Sequence, residues 1–223
     1  MGAWLLRGFC VAEVAGLLEQ VRAIEAASPF RRMTTRQGGS LSVAMTNCGG
    51  TGWVSDRSGY RYDAIDPLTG RPWPAMPAGF AALAARASVA CGYAALRPEA
   101  CLINRYAPGN RLSLHQDRDE LDEAAPIVSV SLGLPATFLF GGLARCDPVL
   151  RFRLESGDVV VWGGGSRLAF HGVATVPAGE HPLTGACRIN LTFRSVRALS
   201  LLPDWEDKGA PARPTPPRSG TDR

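Results

Sequence analysis

Two side chains within residues 112–119 of this sequence could bind the same metal ion. His115 and Asp117 lie two positions apart, and residues two apart on an extended backbone point to the same side. A second histidine, His171, lies far downstream. Two histidines and one carboxylate, with the other coordination positions open, form a ligand set that suits Fe(II) in oxygen-activating sites. Because a His-x-Asp motif often arises by chance and a lone histidine is more often structural, other features must support this interpretation.

The predicted strand 188–194 offers polar side chains that suit an anionic ligand. Its apolar residues face one way, and its other face carries Arg188, Asn190, Thr192 and Arg194. Such a face is commonly a solvated surface, but inside a barrel two arginines could bind both ends of a dicarboxylate through charge-assisted hydrogen bonds. Asn104 and Tyr106, also two positions apart, could meet the same ligand or form a satisfied polar pair at a barrel rim.

The elements that must position these side chains follow from hydrophobic periodicity. Apolar residues at helical spacing predict helices at 12–27 and 78–92, and alternation predicts a strand at 41–48. From residue 101 onward, β-forming runs between Gly, Pro and Asp turns predict strands at 101–106, 127–133, 137–140, 158–162, 168–172 and 187–194. Helices first and many short strands after them indicate an α+β chain, mainly β, with a sandwich or small barrel as its core.

The composition fits one domain that is not embedded in a membrane. A chain of 223 residues with 46% apolar residues can bury a full core, and no apolar run reaches the ~18 residues of a membrane span. Six cysteines without a Cys-x-x-Cys pair predict reduced, mostly buried thiols and a cytoplasmic protein. The net charge of +4 does not by itself indicate nucleic acid, and the Pro-rich segment 201–223 is predicted to be disordered.

Several motifs, taken together, resemble one known family. They are residues 104–109, 112–117, 125–135, 157–164 and 167–172, the Arg188-x-Asn190-x-Thr192-x-Arg194 strand, and upstream residues 42–49, 52–53 and 73–77. In their order and spacing they resemble the AlkB family of Fe(II)- and 2-oxoglutarate-dependent DNA repair dioxygenases. The resemblance spans roughly residues 28–196, and the upstream motifs point to this family within its wider superfamily.

The resemblance implies a fold and a set of ligand-binding residues. The implied fold is a double-stranded β-helix, or jelly roll, supported by N-terminal helices. It forms a single dioxygenase domain at 1–200, with a nucleotide-recognition lid at about 34–62. Fe(II) would be held by His115, Asp117 and His171, with O₂ as a further ligand. The co-substrate 2-oxoglutarate would be held by Arg194 at its C1 carboxylate, by Arg188 at its C5 carboxylate, and by Asn104, Tyr106, Ser129 and Asn190.

The resemblance also implies an activity and a substrate site. The activity is oxidative demethylation of N1-methyladenine and N3-methylcytosine in DNA, which releases formaldehyde while 2-oxoglutarate is converted to succinate and CO₂. The flipped base would stack between Trp53 and His115, and Asp119 would contact its exocyclic amine. The other implied substrate contacts are Tyr60, Thr35 and Arg145. The implied partner is alkylated single-stranded DNA, with double-stranded DNA and RNA as further substrates, and the implied state is a monomer.

Other interpretations of these residues stay open. The same chemistry could act mainly on RNA, or on a protein or small molecule, although Trp53, Tyr60 and Asp119 argue against the last two. A non-enzymatic jelly roll with a structural zinc ion would need four protein ligands, and the sequence offers three. Without the resemblance, Trp53 and Tyr60 suit lid or core packing, and Asp119 and Glu120 suit solvated loop acids.

Overall fold

A computed structural model describes residues 2–197, which contain two α-helices and many short strands. The helices are α1 (Val14–Ala27) and α2 (Ala78–Ala90). In chain order, the strands are β1 (Ala3–Leu6), β2 (Ala44–Gly49), β3 (Gly52–Asp56), β4 (Gly59–Asp63), β5 (Ile65–Asp66), β6 (Arg71–Pro72), β7 (Ala100–Tyr106), β8 (Leu112–His115), β9 (Ile127–Gly133), β10 (Ala136–Phe140), β11 (Leu150–Leu154), β12 (Val159–Trp162), β13 (His171–Val173) and β14 (Arg188–Arg194).

Two antiparallel sheets form the predicted jelly roll. The larger sheet has the strand order β1-β12-β9-β14-β7-β2, and the smaller sheet has the order β11-β10-β13-β8. From β7 onward the chain passes from one sheet to the other at every connection except that between β10 and β11, which is the winding of a double-stranded β-helix. The short hairpins β3–β4 and β5–β6 stand outside both sheets. The predicted fold class is therefore confirmed.

The two helices cover the outer face of the larger sheet. Their apolar stripes pack in one core with alternate residues of the sheet strands, among them Ile103, Val130, Val161 and Leu191. Phe80 of α2, for example, meets Phe193 of β14 edge to face, with ring centroids 5.8 Å apart. Because side chains alternate along a strand, the remaining residues of the same strands point into the roll.

The predicted elements agree with the structure where the periodicity is clear. The helix predicted at 12–27 corresponds to α1, which ends where Ser28 is extended before Pro29, and the helix predicted at 78–92 corresponds to α2. The strands predicted at 41–48 and 168–172 are displaced, since the observed strands begin at Ala44 and His171. The sequence does not predict β1, β3, β4, β5, β6, β8 or β11. Of these, β1 and β8 pair with the distant strands β12 and β13, and no local pattern reveals such a pairing.

Three other predictions concern the C-terminal segment, membrane-spanning helices and the cysteines. The segment 201–223, predicted to be disordered, lies outside the described residues. No helix within residues 2–197 is long and apolar enough to cross a membrane. The cysteines are mostly buried, as predicted, and the buried ones are Cys10, Cys48, Cys91 and Cys101.

A buried ion pair ties the end of α1 to the segment that precedes α2. The Arg31 guanidinium donates to Asp66, and the Ser28 hydroxyl donates to the same carboxylate at 2.6 Å. Burial by itself raises the pKa of Asp66, but the hydrogen bonds from Ser28 and the Leu68 amide, together with the Arg31 charge, lower this pKa overall. The pair therefore fixes one end of the segment that carries β3 and β4.

Replacing Asp66 by asparagine is expected to destabilise the protein at pH 7 by about 3 kcal/mol, because Arg31 loses its charged partner. The folded-state pKa of Asp66 lies below the unfolded value of about 3.9, so its contribution is present above that value and is lost as the pH falls further. Urea unfolding at pH 7 and pH 3 should show a smaller difference from wild type at pH 3. Asp56→Asn, in the exposed pair with Arg61, is the control with little effect. An equal loss at both pH values contradicts this account.

Candidate active site

The three residues predicted to bind a metal converge on the inside of the jelly roll. His115 ends β8 and His171 begins β13, and the register of this antiparallel pair places the two directly opposite each other. Their ring centroids are 4.4 Å apart. Asp117 lies two residues beyond β8, and its carboxylate oxygens are 3.6 Å and 3.8 Å from the Nε2 atoms of His115 and His171. One ligand atom from each residue lies within 4.8 Å of the other two.

In both histidines, Nε2 is the atom that would bind a metal. The Nδ1 atom of His115 lies 2.9 Å from the Ser113 carbonyl oxygen, and that of His171 lies 3.0 Å from the Ala169 carbonyl oxygen. Because a carbonyl oxygen only accepts, Nδ1 carries the proton and Nε2 offers its lone pair. Burial, and after it the neighbouring His115, lowers the pKa of His171 to about 4, so this ring is neutral at pH 7. Neutral imidazole is the form that binds metal ions.

Asp117 is ionised although its carboxyl group is buried. Burial raises its pKa, but the charge of Arg194 and the hydrogen bonds that Arg194 donates outweigh burial and hold this pKa well below its usual range. Arg194 donates to Oδ2 of Asp117 from Nε at 3.0 Å and from Nη2 at 2.7 Å. Two histidine Nε2 atoms and a carboxylate fit Fe(II) with open positions, and within residues 2–197 no fourth ligand completes a closed zinc site.

A cavity of about 560 Å³ lies beside these three residues and holds a buried arginine. The Arg188 residue is 1% exposed, its guanidinium lies 4.9 Å from the Tyr106 ring centroid, and Nη2 donates to the Ser131 hydroxyl at 3.0 Å. Burial lowers the pKa of Arg188. Its Nε and Nη1 atoms have no hydrogen-bond partner among the described residues. A buried cation with two free donors fits the carboxylate of a ligand.

A row of polar side chains connects Arg188 to the metal-binding residues. The Asn190 amide donates to the Ser129 hydroxyl at 2.8 Å, and its carbonyl oxygen accepts from Asn104 at 3.2 Å. In the part of the chain that the structure describes, Oδ1 of Asn104 and Nη1 of Arg194 have no partner although both are buried. Asn104, Arg188 and Arg194, which carry these groups, line a cavity of a size that admits a small dicarboxylate.

The polar face of β14 is buried along its whole length. Arg188, Asn190, Thr192 and Arg194 are each at most 6% exposed. The interpretation of this face as an ordinary solvated surface is therefore wrong. The smaller sheet covers it, because the chain crosses between sheets at almost every connection and encloses a polar interior.

The hairpin β3–β4 places two aromatic rings at the mouth of this cavity. Trp53 and Tyr60 stack, with centroids 5.5 Å apart and planes 19° from parallel, and both line the cavity. The Trp53 Nε1 atom donates to the Asp119 carboxylate at 2.7 Å. The Asn47 side chain holds the Trp53 main chain through two hydrogen bonds of 3.0 Å. The rim therefore offers a flat aromatic surface and a carboxylate together.

Comparisons with known proteins agree with this geometry. The family model of the 2OG-Fe(II) oxygenase superfamily matches residues 2–194. The alpha-ketoglutarate-dependent dioxygenase AlkB of Salmonella typhimurium is 58% identical over 193 residues, which cover 86% of this chain and 89% of that protein. The chain belongs to the AlkB family. A Caulobacter vibrioides AlkB homolog is 46% identical over 182 residues, or 81% of each chain.

Membership of the AlkB family establishes the type of enzyme. The solved structure of OsALKBH1 superposes with a TM-score of 0.75 at 32% identity, covering 87% of this chain and 98% of that one. The protein is a dioxygenase that uses Fe(II), 2-oxoglutarate and O₂, as the sequence predicted. The alternative of a non-enzymatic module with structural zinc is therefore wrong.

Two residues that the AlkB resemblance assigns to the substrate side do not line the cavity. Arg145 is exposed, donates to the Leu114 carbonyl oxygen at 2.9 Å and lies 5.2 Å from the Phe170 ring centroid. The Thr35 hydroxyl accepts from the Gly39 amide at 3.1 Å in a tight loop. The structure therefore places Arg145 beside β8 and Thr35 at a loop tip, each outside the wall formed by the other predicted residues.

The sequence did not predict that two charged residues of this AlkB-family site are buried. Glu120 is 4% exposed, so its interpretation as a solvated loop acid is wrong, whereas Asp119 is exposed. Arg167, which is 3% exposed, pairs with Glu120 at 3.1 Å and donates to the main-chain oxygen of Asp117 at 3.0 Å. Arg167 is the first residue of one of the family-like motifs, and this position is the sequence feature that could have identified it as a site residue. Its partner is 47 positions away, so no local pattern reveals the pair.

Proposed function

We propose that this enzyme oxidatively removes methyl groups from nucleobase nitrogens, with N1-methyladenine and N3-methylcytosine in DNA as substrates. The observation that carries the proposal is one cavity that joins the His115–Asp117–His171 cluster to the rim of Trp53 and Asp119. An aromatic surface suits a base, and a carboxylate suits the positive charge of these methylated rings. A human relative, nucleic acid dioxygenase ALKBH1, is 34% identical over 160 residues and supports a nucleic acid substrate.

In this proposal, the cluster holds Fe(II), and two arginines bind the carboxylates of 2-oxoglutarate. Arg194 lies against Asp117 and takes the C1 end, and Arg188 takes the C5 end. Asn104, Tyr106, Ser129 and Asn190 line the pocket between them. When bound, iron, 2-oxoglutarate and O₂ would supply the oxidation of the N-methyl group: one oxygen atom would enter succinate, with loss of CO₂, and the other would hydroxylate the methyl group, which leaves as formaldehyde. Binding of the co-substrate gives the partnerless donors of both arginines their acceptors, which makes a buried, charge-assisted contact.

The methylated base is proposed to enter the cavity as a flipped nucleotide between Trp53 and His115. Methylation at these positions blocks Watson–Crick pairing, so the base costs less to unstack and flip. Trp53 is already oriented by its hydrogen bond to Asp119, and the exposed side of that carboxylate contacts the exocyclic amine. Tyr60 and Thr35 are the proposed phosphate or lid contacts, and Arg145 is a further proposed contact to the substrate.

Single-stranded DNA is the proposed main partner, with double-stranded DNA and RNA as further substrates. The alternative, the same chemistry mainly on RNA, differs in whether contacts to the 2′-hydroxyl contribute to binding. Contacts to phosphate make either substrate bind less tightly as the salt concentration rises. We further propose that residues 1–200 form one dioxygenase domain with a lid at about 34–62, and that the enzyme acts as a monomer in the cytoplasm.

A repair assay tests the proposal directly. The purified protein with Fe(II), 2-oxoglutarate and O₂ should release one formaldehyde for each base restored in a single-stranded oligonucleotide that carries one N1-methyladenine or N3-methylcytosine. The unmethylated oligonucleotide is the control, and the same sequence in RNA measures the alternative. Lack of base restoration in both, with iron occupancy confirmed, contradicts the proposal.

Replacing Asp119 by asparagine is expected to weaken recognition of cationic bases selectively. Asparagine keeps an oxygen that can accept from Trp53 Nε1 but removes the charge. We expect the KM for N1-methyladenine and N3-methylcytosine to rise about fivefold, since an exposed charge contact contributes about 1 kcal/mol. Steady-state kinetics on N3-methylthymine, whose ring is neutral and which has no exocyclic amine, provide the control, and the KM should not rise there. A similar change on all three bases contradicts this role.

A further inference from the structure

A buried carboxylate outside the metal-binding cluster lies next to Arg194. Glu120 belongs to the loop between β8 and β9 and is 4% exposed. Its Oε1 atom lies 3.2 Å from Nε of Arg194 and also accepts from the Tyr62 hydroxyl, and its Oε2 atom lies 3.1 Å from Nη2 of Arg167. Donors from β4, from β14 and from the loop before β13 therefore converge on one carboxylate.

Arg194 is shared between two carboxylates. Its Nε and Nη2 atoms donate to Asp117 at 3.0 Å and 2.7 Å, Nε also lies 3.2 Å from Glu120, and Nη1 has no partner among the described residues. Asp117 is one of the three residues proposed to bind the metal, so its carboxylate oxygens must bind a metal ion as well as accept from Arg194. Glu120 lies outside that group and has Arg194, Arg167 and Tyr62 as its partners.

The charges of this cluster balance as two carboxylates and two guanidinium groups. The side chains of Asp117, Glu120, Arg167 and Arg194 are all at most 9% exposed. Removing one charge from such a set leaves its partner buried and uncompensated, which is costly. Without the charge of Glu120, Arg194 would have Asp117 as its remaining carboxylate and would compete with the metal for it. Glu120 therefore bears on both the orientation of Arg194 and the availability of Asp117.

We propose that Glu120 is a positioning residue for co-substrate binding. It holds Arg194 so that Nη1 stays free for the C1 carboxylate of 2-oxoglutarate and Asp117 stays available to the metal. Arg167 and Tyr62 hold Glu120 in turn, and Arg167 also fixes the main chain of Asp117 through a hydrogen bond of 3.0 Å. The inference rests on the proposed role of Arg194 in the 2-oxoglutarate pocket.

The dissociation constant of 2-oxoglutarate measures this role without turnover. It is determined by calorimetry on the full chain with Mn(II) in place of iron, on a site whose ligands suit either ion. Glu120→Gln keeps the side-chain shape but removes the charge, and we expect about tenfold weaker binding. Tyr62→Phe removes one donor to Glu120, and we expect about threefold weaker binding. Glu123→Gln, the same change at an exposed acid of the same loop, is the control with unchanged affinity.

A double-mutant cycle with Arg194→Ala separates positioning from a general structural effect. If Glu120 acts through Arg194, Glu120→Gln has no further effect on 2-oxoglutarate affinity in the Arg194→Ala background. An equal effect in both backgrounds, or wild-type affinity in the single variant, overturns the inference. Thermal unfolding without ligand checks that the variants are folded. If Glu120→Gln does not fold, Tyr62→Phe replaces it in the same cycle and tests whether Glu120 acts through Arg194. Unchanged affinity in Arg194→Ala itself contradicts the proposed co-substrate site and the inference with it, an outcome distinct from failure at Glu120 alone.

Discussion

Replacing Asp117 by alanine is expected to lower turnover at least about a thousandfold. The change removes the one anionic residue of the proposed metal site, and with it the contribution of that residue to stabilising the transition state. The same change takes from Arg194 the acceptor of its two shortest hydrogen bonds, 2.7 Å and 3.0 Å long. Glu120 is then the carboxylate that still contacts Arg194, and the contact between the co-substrate pocket and the proposed metal site is lost. Formaldehyde release from methylated single-stranded DNA measures turnover, and electron paramagnetic resonance of Mn(II) measures metal binding.

Two further variants show whether charge or shape at Asp117 matters. Asp117→Asn keeps the volume and an accepting oxygen, and we expect metal binding to fall in it as well, because a neutral amide is a weaker ligand than a carboxylate. Glu123→Ala removes an exposed acid from the same loop and should leave turnover unchanged. Iron-dependent repair by Asp117→Ala above a few per cent of wild type refutes the proposed ligand set.

Replacing Arg188 by methionine is expected to have two effects of opposite sign. In the free protein Arg188 is 1% exposed, and its Nε and Nη1 atoms have no partner among the described residues, so its charge is costly to bury. An apolar side chain of similar length should therefore leave the stability of the free protein unchanged or raise it. The affinity for 2-oxoglutarate should fall about a hundredfold, because the C5 carboxylate loses a charge-assisted partner in a buried site.

Thermal unfolding with and without 2-oxoglutarate and Mn(II) measures both effects of Arg188→Met. Ligand at about a hundred times its dissociation constant stabilises a folded protein by about 2.7 kcal/mol, and this gain should nearly vanish in the variant. Arg153→Met, at a side chain that is 67% exposed, should retain the full ligand-dependent shift. A variant that loses stability in the free state yet keeps the shift shows that Arg188 is structural and does not bind the co-substrate.

The parts of the site that could be predicted are those that a local backbone pattern controls. Alternation along residues 188–194 correctly separates the apolar face, which packs under the helices, from the polar face, which points into the cavity. The spacing of His115 and Asp117 likewise predicts that both side chains reach one point, and the structure brings them together. His171 joins them because β13 pairs with β8, a pairing that the sequence indicates only through the family-like motifs.

Contacts between distant segments could not be predicted in the same way. Glu120 follows exposed Asp119 in the chain, and nothing in their sequence separates a buried acid from a solvated one. Glu120 is buried because Tyr62, Arg167 and Arg194, from three other segments, supply donors for its carboxylate. The bond between Trp53 and Asp119 joins residues 66 positions apart and has the same origin.

By itself, the sequence indicated the family through its motifs and, through that resemblance, the jelly-roll class and the residues proposed to bind the metal. Its periodicity, which acts over a few residues, indicated the face of β14 that carries the polar residues. Only the tertiary structure decided which charges are buried, how Arg194 is shared between Asp117 and Glu120, and which donors of Arg188 are left for a ligand. The physical reason is that desolvation and charge pairing depend on which distant segments meet, and folding alone brings those segments into contact.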